Sequence, residues 1–224
     1  MARSILLLAA LLVALAAPAQ DKADGISVDK EKRTVTVAAK VAPRKLPHLA
    51  EVYPIEVIAT FPYREGVKGK AHETVVVTEA KPSDVHKALE SLGLKPGKPA
   101  RGEGAAAEGP DVDLFVEVPQ PGGTTRRLTL DRVLIDPKTR KPMPKVKWKF
   151  TGSAMAQAAP DKPEKVYGAD VTGTLVAVFP VTDETVIQSS LTMKEEKYLK
   201  LEVNKDVLPK EGEPVKLVIE VPGK

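Results

Sequence analysis

The stretch Thr74–Leu94, TVVVTEAKPSDVHKALESLGL, sets two periodicities back to back, and its reading decides the fold. Thr74 to Thr78 is an uncharged β-branched run, the pattern of a short strand buried on both faces. Lys81-Pro82 breaks it. From Ser83 the spacing changes: Val85, Ala88, Leu89 and Leu92 fall at i, i+3, i+4 and i+7, which is one stripe of a helix. Ser83 is a suitable N-cap, and Gly93 fits the left-handed position that ends a helix, with Leu94 folding back on Leu89. Asp84, His86, Lys87 and Glu90 are left facing outward. The apolar stripe needs a surface to bury against, and the strand before it announces a sheet.

Outward from this stretch, apolar alternation dominates. Val35 and Val37 alternate with threonines, and Ile55, Val57 and Ala59 form the next run, which Pro62 closes. Leu114, Val116 and Val118 precede Pro119-Gln120-Pro121-Gly122-Gly123, which leads into Arg127–Ile135 as a hairpin. Val146, Trp148 and Phe150 share one face while Lys147 and Lys149 take the other. Val171–Phe179 and Val215–Val221 read as buried late strands. Met193–Val203 suits a helix by propensity and an edge strand by the alternation of Tyr198, Lys200 and Glu202. The expected fold class is therefore α+β: a mostly antiparallel sheet with one clear helix, about 83–92, packed on it. Residues 95–110, KPGKPARGEGAAAEGP, have no periodicity and read as a flexible loop within a single domain. One internal echo stands out. Glu108–Pro119 (EGPDVDLFVEVP) and Glu211–Pro222 (EGEPVKLVIEVP) share seven of twelve positions. Duplication and convergence of a turn, strand and proline stop both account for it.

The first nineteen residues carry an address. Arg3 begins a positive n-region, Ile5–Ala17 is an uncharged apolar run too short to span a bilayer, and Ala17-Pro18-Ala19 places small residues where a signal peptidase reads. Residues 1–19 are thus expected to be a signal peptide cleaved after Ala19. Residues 20–224 then form one exported domain, periplasmic or extracellular, with no transmembrane anchor after processing.

Composition removes several chemistries. The 224 residues contain no cysteine, which excludes disulfides, Fe–S clusters, thiolate zinc sites and cysteine nucleophiles. Lys and Arg number 34 against 30 Asp and Glu, a net charge of +4 that implies no nucleic-acid partner. The basic residues are unevenly placed: Arg126, Arg127, Arg132, Lys138, Arg140, Lys141, Lys145, Lys147 and Lys149 face only Asp131 and Asp136 in that span. Arg126, Arg127, Lys138, Arg140, Lys141, Lys145, Lys147 and Lys149 are the expected basic surface, and an anionic cell-envelope polymer or an envelope protein the expected partner. Aromatics are 4% of the chain, too few for stacking platforms that hold single-stranded nucleic acid.

The three histidines are His48, His72 and His86. His72-Glu73 opens like the metalloprotease motif H-E-x-x-H, but position 76 is valine and the flanking run is strand-like. On a strand the two side chains point to opposite faces and cannot chelate one ion unless the backbone bends. No nucleophile elbow, S-x-x-K, P-loop or dinucleotide fingerprint occurs. No residue is assigned as catalytic. Lys70, His72, Glu73 and His86 are the candidate ligand-binding residues, because the first three sit where a Gly/Lys loop enters a buried strand.

Several stretches together resemble a known family. They are YPIEV (53–57), GKAHETVVVTEAKPSDVHKALESLGLKPGKP (69–99), KWKFTGS (147–153) and YGADVTGTLVAVFPVTDETVI (167–187). The chain resembles the YdjY-like domain of exported bacterial proteins of uncharacterised function, from about Ile26 to Val221. The resemblance implies one domain and an envelope address, and brings no reaction with it. Some relatives are described as ferredoxin-like, but without cysteine an Fe–S role does not carry over. The expected function is a non-catalytic binding or accessory module of the cell envelope, without a cofactor. The alternative is a metal-binding protein or enzyme centred on His72, Glu73 and His86, with His48 as a further metal ligand.

Overall fold

The computed structural model describes residues 22–23, 25–65, 69–158 and 162–223. The expected signal peptide lies outside the described residues. The strands are β1 Lys22–Ala23, β2 Ile26–Asp29, β3 Thr34–Val41, β4 Val57–Thr60 and β5 Thr74–Val77, followed by helix α1 Pro82–Ser91. Next come β6 Asp111–Pro119, β7 Thr125–Thr129, the single turn α2 Leu130–Val133, β8 Leu134–Ile135, β9 Trp148–Phe150, β10 Met155–Gln157 and β11 Lys165–Tyr167. The chain ends with α3 Gly168–Thr172, β12 Val176–Ala177, β13 Ile187–Ser189, α4 Met193–Tyr198, β14 Glu202–Val203 and β15 Pro214–Glu220. Among the described residues no helix is long and apolar enough to cross a membrane.

Eight strands close on themselves in the order β3-β15-β6-β9-β13-β12-β4-β5. The last joins the first through Lys40 opposite Val77 and Val41 opposite Val76. The pairs β4–β5 and β12–β13 are parallel and the other ring pairs antiparallel. The expected α+β sheet with a packed helix is therefore corrected: the protein is mostly β, a closed eight-stranded barrel with four short helices. Alternation along a strand reports which side chains are buried, not which edges meet, so an open sheet and a ring look alike in sequence. Closure removes the free edges, and at eight strands the bore is just wide enough for side chains to fill. Val37, Val116, Leu217 and Ile219 are without exposed surface, and β4 is buried along its whole length.

The hairpin β6–β7 forms, with Pro119 opposite Thr125, but its return strand ends at Thr129 and the turn α2 interrupts the expected run from Arg127 to Ile135. The two echoed segments become β6 and β15, which are direct antiparallel neighbours. Phe115 and Val218 hold equivalent places in the two segments, and they are register partners. The segments are thus related by the local two-fold axis of the pair. Two expected elements shift. Val171 lies in α3, and the strand starts only after Gly173, where φ is +72°. The ambiguous Met193–Val203 becomes both elements in turn, a helix capped by Thr192 and Glu195 and then β14. The loop 95–110 is fastened at several points. Lys98 bridges Glu108, the Gly97 amide donates to Phe150 O at 3.0 Å, and the Gln188 side chain bonds both backbone groups of Ala100.

Strand directions define two ends of the barrel. The starts of β3, β6, β12 and β13 and the finishes of β4, β5, β9 and β15 lie together at one end. Helix α1 follows β5 there and buries Val85, Ala88 and Leu89 in the core. Its C-terminus is the expected Schellman stop: Gly93 has φ +86°, its amide donates to Glu90 O, and Leu94 donates to Leu89 O. The N-terminus differs. Lys81 holds the N-cap position with Pro82 inside the first turn, and the Ser83 amide donates to Asp170 Oδ1 of α3 at 2.8 Å. A carboxylate from a distant helix does the work expected of Ser83, and its charge suits the positive end of the helix.

Candidate functional site

The opposite end carries three of the expected site residues. Parallel neighbours β4 and β5 need a crossover, and residues 69–73 lead the chain into the start of β5. That crossover finishes in a 3-10 turn, Ala71–Glu73, so His72 and Glu73 are not on a strand. The turn is the backbone bend that the strand reading lacked. It brings His72 Nε2 to 3.0 Å from Glu73 Oε1. Lys70 Nζ lies 2.6 Å from Glu73 Oε2 and 2.8 Å from Glu56 Oε2, with Glu56 just ahead of β4. Glu56 also donates its amide to Glu73 O at 3.0 Å. One ammonium therefore ties the entries of two parallel strands.

The electrostatics follow from this packing. Burial disfavours the Lys70 charge, but the Glu56 and Glu73 carboxylates outweigh it and raise the lysine above its ordinary value. Burial likewise works against the charge on Glu73, and the Lys70 ammonium prevails, holding that carboxyl below the usual range. Glu56 goes the other way: burial, helped by repulsion from Glu73, pushes its carboxyl up. Two carboxylates thus share one cation, and of the two Glu73 gives up its proton more readily.

Arg44 extends the network. It follows β3 at the same end, and its side chain is 4% exposed. Its Nε lies 2.7 Å from Glu202 Oε1, Nη1 donates to His72 O at 2.9 Å, and Nη2 donates to Tyr53 O. Tyr53 in turn meets the His72 ring edge-on at 5.1 Å. Arg44, Tyr53, Glu56 and Glu202 were not expected from the sequence. They come from segments with no shared motif, and only YPIEV, which holds Tyr53 and Glu56, had been singled out.

His86 is elsewhere. It sits on α1, beyond the finish of β5, while His72 precedes the start of that strand; four strand residues span about 13 Å. Its Nδ1 is 2.7 Å from the Tyr167 hydroxyl and its Nε2 is 3.5 Å from Glu90. Phe150 and Tyr167 meet the ring edge-on at 5.0 and 5.4 Å. Burial pushes the Tyr167 phenol far above its ordinary value, so the group beside Nδ1 is a neutral hydroxyl. Gly152, with φ +65°, passes so close that an added Cβ would stand 2.8 Å from Pro96 and 3.3 Å from the imidazole. His48 stacks on Tyr63 at 4.4 Å. The structure thus brings Lys70, His72 and Glu73 together, holds His86 on α1, and sets His48 against Tyr63. Among the described residues no three His, Asp or Glu side chains are arranged to hold a metal ion.

The basic residues are largely spoken for. Arg127 pairs with Glu220 and lies over the Phe115 ring, Arg140 pairs with Asp206, and Lys147 and Lys149 both reach Asp111. Arg126 donates to Val207 O. Among the described residues Lys138, Lys141 and Lys145 make no ion pair. These side chains belong to β7, the 136–147 connection and β9 rather than to one hairpin.

Neither a curated protein nor a solved structure matches the chain. Residues 26–220 match the YdjY domain, and on that match the chain belongs to the YdjY domain family.

Proposed function

We propose that this protein is an exported, non-catalytic binding or accessory module of the cell envelope, with an envelope protein or an anionic envelope polymer as partner. The observation that supports this most is the closed arithmetic of charge around Lys70. Its ammonium is held by two carboxylates, and His72 hydrogen-bonds one of them. General acids and bases are tuned toward the working pH. Lys70 and Glu73 are tuned away from it, one upward and one downward, and only Glu56 moves toward it. That is the signature of a strut fastening two strands. The apolar run and small-residue pattern of residues 1–19 support the address.

The test compares Lys70→Met and Glu73→Gln in melting and in complementation of a strain lacking the gene, with fractionation and mass spectrometry of the exported chain. A strut predicts that both variants melt several degrees lower. Complementation then follows the folded fraction, and the exported chain starts at Gln20. Wild-type melting with lost complementation would overturn the strut and return the cluster to chemistry. An intact leader on exported protein would overturn the address.

A further inference from the structure

The outer wall of the barrel holds a trough of about 600 Å³ that none of the candidate residues lines. It exists because β3 changes partner. On one side of β3, β2 pairs as far as Val37 and Gly25 O accepts from the Ala38 amide at 2.7 Å; β5 takes over at Lys40. The notch between departing β2 and arriving β5 is floored by the outward-facing Ala38 and Val77, with Pro62 and Pro214 at its sides. The backbone here is satisfied: Ala38 O accepts from Thr78 Oγ1 at 2.7 Å, and β15 pairs the other edge of β3. A guest therefore cannot add as a strand. It must bind through apolar burial.

Charge decides what kind of guest. Lys40 and Lys216 project from the same outer face, since Lys216 is opposite Ala38 and Pro214 opposite Lys40. Both are exposed, and among the described residues neither makes an ion pair. The rim carboxylate Glu79 is engaged by Arg64 at 2.5 Å. Glu117 lies directly across from Lys216 on β6, and among the described residues it makes no ion pair with that lysine. The trough thus offers carbon below and two cations above, with a volume inside the roughly 300–1,000 Å³ of ligand sites. Its floor has no polar group to orient a shaped ligand.

We infer that this trough binds a free single-chain carboxylic acid, the acyl chain lying over Ala38 and the carboxylate between Lys40 and Lys216. The inference deepens the module reading and rests on it, giving the binding function a ligand class. Oleate below its micellar concentration, titrated calorimetrically into the chain lacking residues 1–19, is expected to bind one to one. Ala38→Trp, at an exposed position, should weaken it at least tenfold, as should Lys40→Glu with Lys216→Glu. Monoolein, which has no charge, should bind at least tenfold more weakly than oleate. Equal binding by Ala38→Trp would overturn the site, and equal binding of monoolein would overturn the charge. A wild-type dimer that Ala38→Trp dissolves would assign the trough to a second copy instead. Absence of oleate binding removes this ligand class, whereas the module reading falls only on the Lys70 and Glu73 complementation result.

Discussion

The two ends of the barrel are closed by different physics. At one end α1 lays Val85, Ala88 and Leu89 into the core and bonds other elements through the Ser83 amide to Asp170 and through His86 to Tyr167. At the other, Lys70 and Arg44 gather carboxylates and carbonyls from residues 53, 56, 72, 73 and 202. An apolar plug stabilises in proportion to the area it removes from water and degrades gradually when trimmed. A half-buried ionic knot contributes less net, but losing one member strands the others without partners. The first kind of end tolerates imperfect neighbours, and the second depends on every one.

That contrast can be broken at its polar end first. Arg44→Met takes the Arg44 donor from two carbonyls and leaves Glu202 only the Val203 amide, and should cost about 3–5 kcal/mol in urea denaturation. Adding Glu202→Gln should recover part of the loss, because the stranded charge is gone. A cost below about 1 kcal/mol would mean that this end is held by packing after all. At the apolar end, Leu89→Ala should cost about 2–5 kcal/mol, because the side chain is fully buried. A loss under about 0.5 kcal/mol, the usual surface value, would remove the plug.

The smallest expected effect separates the ends by pH. Lys70 is raised in the folded state, so its contribution is complete below its ordinary 10.5 and is lost as pH rises through the higher folded value. Tyr167, at the other end, is also raised, and folding disfavours its ionisation above its ordinary 10.0. Wild-type stability should therefore decline in alkali from both ends. Lys70→Met should remove one part of that decline and Tyr167→Phe the other, additively, as for distant sites. In acid, Glu73 loses its contribution as pH falls below its ordinary 4.5, while raised Glu56 acts in the opposite sense, so the net share of this cluster in the acid limb should be small. Equal alkaline decline in both variants and wild type would show that neither group is held as described.

How much of this was legible varies with the reach of each interaction. The helix, its Gly93 stop, the β6–β7 hairpin and the buried face of β9 were all readable, since each is set by neighbours within a few residues. The Ser83 cap was misread because the acceptor is Asp170, 87 positions away. Lys70 beside Glu73 was readable as a pair three apart, and Glu56 was not its obvious third member. His72 with Glu73 was misplaced on a strand, because nothing in AHE separates a 3-10 turn from the first residues of TVVV. His86 was grouped with His72 on nearness in sequence, which β5 turns into distance in space.

By itself the sequence determined the β-rich pattern, the amphipathic helix and the cysteine-free chemistry, because these rest on composition and short-range periodicity, and it carried the family in the quoted stretches. Tertiary structure alone decided that the sheet closes, that its ends differ, and that a trough opens where β3 exchanges β2 for β5. The reason is physical. A strand's side-chain pattern specifies which face is buried, whereas ring closure depends on strand tilt and stagger summed over eight partners. No local window of the chain contains that sum.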